Sequence, residues 1–347
     1  MGIGTALALA GCRVPVAGRV RQAGVVQTFL PYPDFVEALA VLDSPRLGKQ
    51  RVETLQILRA LVFPEYGWRN HPAVRMWRGR LPALVLYGLT SVAQWERRGF
   101  ADTTAGQIAE FAPTVIGSTQ ADLAAAGLLP GWLGDDRLHR SHQSKLLSKN
   151  PEHYGRFFLD VPADLDYFWP DPDEVLPGDP MQGGPSLWVI RPASPHALGR
   201  FLQEGMISVG EGSGVEADAT GRDLAGLRQL LSPSVRRTNR ATAALARWVT
   251  EAKVGDDVAA QIQGGHALVV GEITSDYHFV QRTDEVGKHR RRTRWNRLIP
   301  RSAVEPMSAL QDVRPLFRVV TSNDHPALDA TNPGASGAPR IGFEHGT

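Results

Sequence analysis

The sequence is almost without cysteine, because Cys12 is the single one in 347 residues. One thiol forms no internal disulfide and builds no thiolate zinc site, and it suits the reducing cytoplasm, where we expect this protein. The chain also lacks an apolar run of the roughly 18–20 residues that a membrane helix needs, so no membrane partner is expected. The formal net charge is only +2, so bulk charge gives no support for a nucleic-acid partner.

Basic residues are nevertheless concentrated locally. They crowd three segments, Arg46–Arg80, Arg137–Lys149 and Lys288–Arg297. A DNA-binding surface needs a strong local field rather than a large total charge, so these segments are candidates for phosphate contacts. A hydrophobic content of 42% is enough for packed cores, and the length predicts two domains.

Changes in composition and in hydrophobic periodicity divide the chain into five parts. Amphipathic helical patterns dominate the first large part, and short strand patterns with two helices dominate the second. The expected fold class is therefore multi-domain, with a mainly α N-terminal domain followed by an α+β small barrel. The expected parts are an extension (1–25), the helical domain (26–170), a Pro/Gly-rich linker (171–185), the α+β domain (186–320) and a disordered tail (321–347).

The first 25 residues are expected to precede the true start. LAGC (Leu9–Cys12) imitates a lipoprotein cleavage signal, but neither Lys nor Arg precedes it. The recognisable domain begins at QTFLPYP, immediately after Val25 and Val26. A GTG codon encodes valine and also starts translation, so our interpretation is an over-long reading frame with its start at Val26.

The segment Arg46–Leu61 predicts a helix that faces DNA. Its apolar residues recur mostly at i, i+3 spacing, with Ser44 as the expected cap and Pro45 in the first turn. On the polar side of this helix, Arg46, Lys49 and Glu53 share one face, so cations lie near the carboxylate of Glu53. Gln50 lies one turn before Glu53, and Arg51 adds a further cation nearby. The alternative interpretation is a solvated charged face with i, i+4 pairs.

Two further clusters carry aromatic and basic residues. The first cluster, YGWRNHPAVRMWRGR, contains two tryptophans and a histidine among arginines. This combination suits phosphate contacts and stacking on an extruded base, although Trp77 fits core packing better. LHRSHQSKLLSKNPEHY offers cations for phosphates and histidines one turn apart, but it has no carboxylate set, so neither a metal nor another cofactor is expected. The candidates in the two clusters are Trp68, Arg69, Asn70, His71, Arg75, His139, Arg140, His142, Lys145 and Lys149.

The order KQRVETLQIL, YGWRNHP, ERRGF, KLLSKNPEHY resembles the pyrimidine-dimer DNA glycosylases, the endonuclease-V-like enzymes. The resemblance covers roughly 27–170 and is nearest to an uncharacterised actinobacterial branch whose members open with QTFLPYPDF. It implies a compact helical fold and attack on the sugar C1′ by the chain's own N-terminal amine, with an imine and β-elimination following. It also implies a helix glutamate that assists and arginines that grip kinked DNA.

Residue by residue, this sequence departs from the family pattern. The family's Arg–Glu pair falls on Lys49 and Gln50, and an amide is neither a general acid nor a general base. Glu53, one turn on, is the nearest replacement, and a family arginine of the last helix falls near His142. The expected catalytic residues are therefore Glu53, Gln50, His71 and His142.

The second domain resembles the EVE-like domains of the PUA-like superfamily, over roughly 186–303, most clearly in KVGDDV and GEITSDY. The resemblance implies a small barrel that reads a modified or flipped base in an aromatic pocket. The expected pocket residues are Trp188, Trp248, Tyr277 and Trp295, although the first two also lie in apolar patterns typical of a core. The expected phosphate contacts within KHRRRTRWNR are Lys288, Arg290 and Arg292.

Three interpretations of function remain open. The first is a DNA glycosylase, with or without lyase activity, that excises a damaged or modified base from duplex DNA and is guided by a modified-base reader. The second is a non-catalytic reader of modified DNA or RNA, which Gln50 favours. The third is an RNA-binding protein. The biological role is repair or phage defence, and the oligomeric state is left open.

Overall fold

The computed structural model describes residues 26–63, 66–172, 186–262, 265–281 and 286–321. The expectations for the 1–25 extension, for most of the 171–185 linker and for nearly all of the 321–347 tail lie outside the described residues. None of the described helices is both long enough and apolar enough to cross a bilayer.

The N-terminal region folds as helices and turns, and its described residues contain no strand. This confirms the mainly helical prediction. Its helices are α1 (Phe35–Ala40), α2 (Ser44–Val62), α3 (Pro72–Arg75), α4 (Leu81–Arg97), α5 (Ala105–Ala109), α6 (Gln120–Ala125), α7 (Asp136–Lys149) and α8 (Pro151–Tyr154), with a 3-10 turn at Pro113–Val115.

The N-cap of helix α2 lies one residue earlier than expected. Asp43 is the N-cap, and its carboxylate accepts the Arg46 N–H at 3.0 Å and pairs with the Arg46 guanidinium at 2.7 Å. The expectation of Ser44 as the cap is therefore wrong, because the preceding carboxylate satisfies both the free amide and the cation. Pro45 lies in the first turn as expected.

Helices α2 and α4 pack closely through glycines. A Cβ on Gly88 would lie 2.7 Å from Thr54 Cγ2, and one on Gly48 would lie 2.9 Å from the Trp95 ring. These approaches hold the two long helices together around the helical core, which includes Leu47, Leu55 and Leu58 of α2.

The C-terminal region is built on a mixed sheet, and most of the expected strands are present. Its strands are β1 (Ser186–Ile190), β2 (Met206–Ser208), β3 (Asp257–Gln261), β4 (Ala267–Ile273), β5 (His278–Phe279), β6 (His289–Pro300), β7 (Val304–Glu305) and β8 (Leu316–Thr321). Its helices are α9 (Pro195–Glu204), α10 (Leu224–Gln229) and α11 (Arg240–Thr250), with 3-10 turns at Arg301–Ala303 and Met307–Gln311.

The strand order is β2-β6-β4-β3-β1-β8-β7, and β5 pairs with β6. Strand β1 runs parallel to β3 and antiparallel to β8, and the other pairs are antiparallel. Among the described residues this is an open path, so the closed small barrel expected from the sequence is not confirmed.

The alternation of β1 places side chains on two separate cores. Trp188 and Ile190 pack with Phe201 of α9 and Trp248 of α11 on one face. Leu187 and Val189 pack on the other face, with residues of β3, β4 and β8. The helices therefore cover one face of the sheet.

Polar side chains join the helical region to the sheet region. The Arg301 guanidinium donates to both carboxylate oxygens of Glu110, at 2.8 and 2.9 Å. Gln311 donates to Glu110 at 2.7 Å, and it accepts a hydrogen bond from Arg59 of α2 at 3.0 Å. Because Arg301 and Gln311 flank β7, these contacts attach the edge of the sheet to the helices.

Candidate active site

The site is built around an extended segment, residues 26–30, in which every side chain is buried. Such a segment has no helical hydrogen bonds of its own, so its polar groups need partners from elsewhere. Trp77 Nε1 donates to Thr28 Oγ1 at 3.0 Å, and the Phe29 N–H donates to Gln50 Oε1 of α2 at 2.7 Å. The segment thus lies across α2.

Two histidines of α7 hold the backbone of Leu30 from both sides. His139 accepts the Gly134 N–H at Nε2 (3.2 Å), which leaves its Nδ1–H to donate to the Leu30 carbonyl at 2.8 Å. The Leu30 N–H donates to His142 Nδ1 at 2.9 Å. His142 is fully buried, and burial lowers its pKa to about 3, so the ring is neutral.

Gln50 is a buried part of the scaffold rather than an acid or base. Its Oε1 accepts the Phe29 N–H and lies 2.6 Å from the Tyr87 hydroxyl, which is also 2.9 Å from the Phe29 carbonyl. Its Nε2 donates to Glu53 Oε2 at 3.3 Å. The amide therefore connects the buried segment to the neighbouring carboxylate.

Glu53 is the one carboxylate among the residues that line the cavity described next. The backbone N–H of Gln27 and the amide of Gln50 donate to it, and Lys49 and Lys149 lie near it. These partners lower its pKa, but burial raises it more, and the pKa of Glu53 is about 7. The protonated and the ionised forms of this side chain are therefore both populated near neutral pH.

A cavity of about 390 Å³ opens over Glu53. This volume lies within the range of about 300–1,000 Å³ that is typical of small-ligand pockets. Cations line it beside aromatic and amide side chains. The lining residues are Gln27, Phe29, Pro45, Arg46, Lys49, Gln50, Glu53, Lys149 and Tyr167.

Arg46 and Tyr167 form part of the cavity wall. Arg46 pairs with Asp43 and donates to the Lys149 carbonyl at 3.2 Å, which ties the start of α2 to the end of α7. Burial, together with the charge of Glu53, raises the pKa of Tyr167 to about 12, so its hydroxyl stays protonated. The wall thus presents a fixed cation and a neutral phenol.

The two histidines expected to be catalytic occupy other positions. His142 is enclosed in the core beneath the segment, where it contacts the Gln27 amide at 3.3 Å. His71 caps α3 by accepting the Ala73 N–H at 3.2 Å, and burial lowers its pKa. Neither residue lines the cavity, so their catalytic roles stay predictions, and the geometry gives both a positioning role.

The basic candidates of the helical region divide into two groups. Lys49 and Arg46 line the cavity, whereas Arg51 is paired with Asp102 at 2.5 Å and lies over the Trp95 ring. Lys145 lies 5.5 Å from the Tyr167 ring centroid, beside the cavity wall. The exposed candidates are Arg69, Arg75 and Arg140.

Lys288, which precedes β6, and Arg290 and Arg292 of β6 are spaced two residues apart and so lie on one side of the strand, but they differ in burial. Arg292 is exposed, whereas Arg290 is buried and donates to the Gly287 carbonyl. Lys288 is paired with Glu216. Of these candidates, Arg292 is the one whose side chain is open to a phosphate.

The four aromatic candidates of the sheet region are held by packing and hydrogen bonds. Trp188 and Trp248 are fully buried, which is the core position that their apolar patterns indicated. The Tyr277 hydroxyl lies 2.8 Å from His289 Nδ1, and Trp295 Nε1 donates to the Phe201 carbonyl at 2.9 Å. Their role as walls of a base pocket stays a prediction.

Several residues of the site escaped sequence reasoning. Gln27, Phe29 and Tyr87 looked like ordinary members of apolar or terminal segments. Tyr167 belongs to DYFWP, an aromatic run after the last predicted helix that could have drawn attention. Trp77 was expected in the core, and it is fully buried. No group of three or more potential metal ligands occurs within the described ranges.

The helical fold and the cavity together place one carboxyl group, with a pKa of about 7, among the cations Arg46, Lys49 and Lys149. Residues 26–107 match the family model of pyrimidine dimer DNA glycosylase. The resemblance stated from the sequence is confirmed for this stretch, which contains α1 to α4 and the residues from Gln27 to Glu53. His142, Lys149 and Tyr167 lie beyond it. No curated protein and no solved structure matches the chain.

Proposed function

We propose that this protein is a DNA glycosylase that excises a damaged or modified base, with Glu53 as its general acid. The observation that carries the proposal is a half-buried carboxyl with a pKa of about 7 in a cavity lined by cations. A general acid works best when its pKa lies near the operating pH. The family match over 26–107 supplies the substrate class.

The chemistry requires one proton donor and a cationic rim. Protonated Glu53 gives its proton to the leaving base, which departs with the electron pair of the glycosidic bond. The carboxylate that remains takes a proton from the water that adds to C1′, so the products are an abasic sugar and the cleaved base, which stays joined to its neighbour where the target is a pyrimidine dimer. Lys49, Lys149 and Arg46 attract the phosphates that flank the sugar.

A lyase step needs an amine in place of that water. In the full chain the backbone nitrogen of Gln27 is an amide that donates to Glu53, so the amines lining the cavity belong to Lys49 and Lys149. A chain begun at Val26 would instead bring its terminal amine within one residue of the acid. The lyase activity implied by the resemblance is therefore an extension of the proposal with three candidate nucleophiles, namely the two lysines and the terminal amine.

Trapping with borohydride distinguishes these chemistries. The full chain and a chain begun at Val26 are each incubated with duplexes carrying pyrimidine dimers or modified cytosines, and borohydride is then added. Abasic sites without an adduct support hydrolysis. A trapped adduct supports imine chemistry, and peptide mapping assigns it to a lysine or to the terminus. Tight binding without either product would contradict the enzyme proposal for those substrates.

For the sheet region we propose a supporting role as a reader of modified bases. One observation favours it beyond the resemblance: Trp248 Nε1, Arg291 Nε and Thr293 Oγ1 are buried and have no hydrogen-bond partner among the described residues. Buried polar atoms normally have partners, so such atoms indicate a place for a polar ligand or water. The Arg291 guanidinium lies 5.4 Å from the Trp248 ring centroid.

The reader proposal has its own test. A Trp248→Phe variant removes the indole N–H but keeps a buried aromatic ring, and Trp132→Phe, which makes the same truncation at a buried tryptophan of the helical region, is the control. Affinity for duplexes with and without modified cytosines is then compared. Loss of discrimination in Trp248→Phe alone supports the reader, and equal discrimination in all three proteins contradicts it. Repair and phage defence are both compatible with this division of labour.

A further inference from the structure

A second cleft, of about 660 Å³, lies where the helical region meets the sheet region. It is distinct from the Glu53 cavity, because no described residue lines both. Helices α2 and α5 and the segments at or next to β1, β3, β6 and β8 supply its lining. The described lining residues are Arg59, Gln107, Glu110, Arg191, Gln261, Gly265, His266, Arg301, Leu310, Gln311 and Val313. We call this space the junction cleft.

The lining of the junction cleft holds more positive than negative charge. Arg59, Arg191 and Arg301 contribute three guanidinium groups, and Glu110 is the one acid among the described lining residues. Glu110 pairs with Arg301, at 2.8 and 2.9 Å. The charges of Arg59 and Arg191 are therefore not balanced by an acid of the described lining.

Neutral oxygens hold these two guanidinium groups in place. Arg59 donates to the amide oxygens of Gln107 at 2.8 Å and of Gln311 at 3.0 Å. Arg191 donates to the backbone carbonyls at 310 and 312. Because the acceptors carry no net charge, they orient the guanidinium groups without cancelling their charges.

The three positive charges lie close enough together to act on one another. Burial lowers the pKa of the Arg191 guanidinium, and the charges of Arg301 and Arg59 lower it further. Asp312 opposes this effect, but its carboxylate also pairs with Arg314 at 2.6 Å. Like charges held together cost free energy, and an anion bound among them offsets that cost.

Each of the three guanidinium groups also keeps a donor for a ligand. The Nη1 groups of Arg59, Arg191 and Arg301 have no hydrogen-bond acceptor within the part of the chain that the structure describes. His266, which is exposed, adds an imidazole to the lining. Hydrogen bonds from guanidinium groups to phosphate oxygens are among the strong ones, and the volume of the cleft suits a small ligand.

We infer that the junction cleft is a second anion site, which binds a phosphate group between the arginine of α2 and the arginines of the sheet region. The phosphate belongs either to a free polyphosphate or to the backbone of bound DNA. In both cases the anion bridges the two regions, because Arg59 comes from one of them and Arg191 and Arg301 come from the other. The inference does not depend on the chemistry of Glu53, so binding alone tests it.

Titration of the full chain with sodium pyrophosphate, followed by calorimetry, tests the site. Arg59→Gln removes one positive charge, and Glu110→Gln removes the acid while keeping an acceptor for Arg301. Arg97→Gln, an exposed charge of α4 outside the cleft lining, is the control. Thermal melting checks each fold, and Glu110→Gln provides the test if Arg59→Gln is unstable.

We expect the two cleft variants to change pyrophosphate affinity in opposite directions. Arg59→Gln should weaken it about ten-fold, because a charged hydrogen bond is lost. Glu110→Gln should strengthen it about five-fold, because a repelling carboxylate is removed. Arg97→Gln should leave it unchanged. A damaged fold would weaken binding in every variant, so the gain in Glu110→Gln distinguishes a specific site from instability.

Duplex binding identifies the source of the phosphate. Kd for an undamaged duplex is measured by anisotropy over a range of salt concentrations. If DNA supplies the phosphate, Arg59→Gln lowers the slope of log K against log salt by about one, and Arg97→Gln does not. If a free polyphosphate supplies it, pyrophosphate binds and the duplex slope is the same in all variants. An equal change in Arg97→Gln, or no effect of the cleft variants on either ligand, would overturn the site.

Discussion

Gln50 Nε2 donates a hydrogen bond to Glu53 Oε2 across 3.3 Å, one turn apart on α2. The same amide accepts the Phe29 N–H through Oε1, so it transmits the position of the buried segment to the acid. A neutral amide at this place keeps Glu53 as the one carboxylate of the cavity. Where the resemblance places the family's glutamate, this chain therefore has an amide that donates to Glu53.

Gln50→Glu should shift the pH dependence of excision upward. A second carboxylate 3.3 Å from Glu53 would repel its charge and raise its pKa above about 7. We expect the fall of the single-turnover rate at alkaline pH to move up by about one pH unit or more. Gln50→Met is the control, because it loses the hydrogen bonds without adding charge. An unchanged pH profile in Gln50→Glu would show that the ionisation of Glu53 does not control the excision rate.

Glu53→Gln should stabilise the protein above pH 7. Folding raises the pKa of Glu53 from 4.5 to about 7, so the native state favours the proton and loses stability as pH rises through that window. Removing the charge should recover about 2 kcal/mol at pH 8 after solvent screening is allowed for, and nothing at pH 4. Urea denaturation at both pH values measures this. Equal stabilisation at pH 4 would contradict the assignment.

Lys149→Gln should weaken DNA binding and reduce its salt dependence. One lost phosphate contact lowers the slope of log K against log salt by about one. Loss of this cation should also raise the pKa of Glu53, since Lys149 lowers it. Arg97→Gln, an exposed charge on α4 outside the cavity lining, is the matched control. Identical slopes in the two variants would place Lys149 away from the DNA.

His142→Leu should destabilise the fold at neutral pH and make it less sensitive to acid. The variant leaves the buried Leu30 N–H without its acceptor, which costs about 1–3 kcal/mol. In the natural protein the folded pKa of about 3 lies below the ordinary 6.5, so stability is lost as pH falls below 6.5. Unfolding at pH 7.5 and 5 tests both effects. A variant as acid-sensitive as the natural protein would show that other groups dominate.

The sequence predicted the elements of the site better than their arrangement. The periodicity of Arg46–Leu61 follows a local rule, and the helix that it predicts is present. The contact of residue 27 with Glu53, and of Leu30 with both histidines of α7, joins segments far apart in the chain. Local patterns hold no information on such pairs.

The burial of arginines in β6 was unexpected for a different reason. An arginine-rich run is typical of a solvated strand or loop, yet Arg291 is buried and donates through Nη2 to the Trp248 carbonyl at 3.1 Å. Hydrogen bonds from a guanidinium group to backbone carbonyls let a basic sequence form a partly buried strand. Tyr167 was missed because its segment is neither helix nor strand, and only tertiary packing returns it to the cavity.

The most direct test of the account is the single-turnover excision of a base by the natural protein and by Glu53→Gln. A duplex carrying one dimer or modified base is incubated with excess protein, and abasic sites are quantified between pH 6 and 8, with Kd measured in parallel. We predict excision that falls above pH 7 in the natural protein, and its loss in Glu53→Gln with Kd retained. Excision that survives in Glu53→Gln would contradict the central claim.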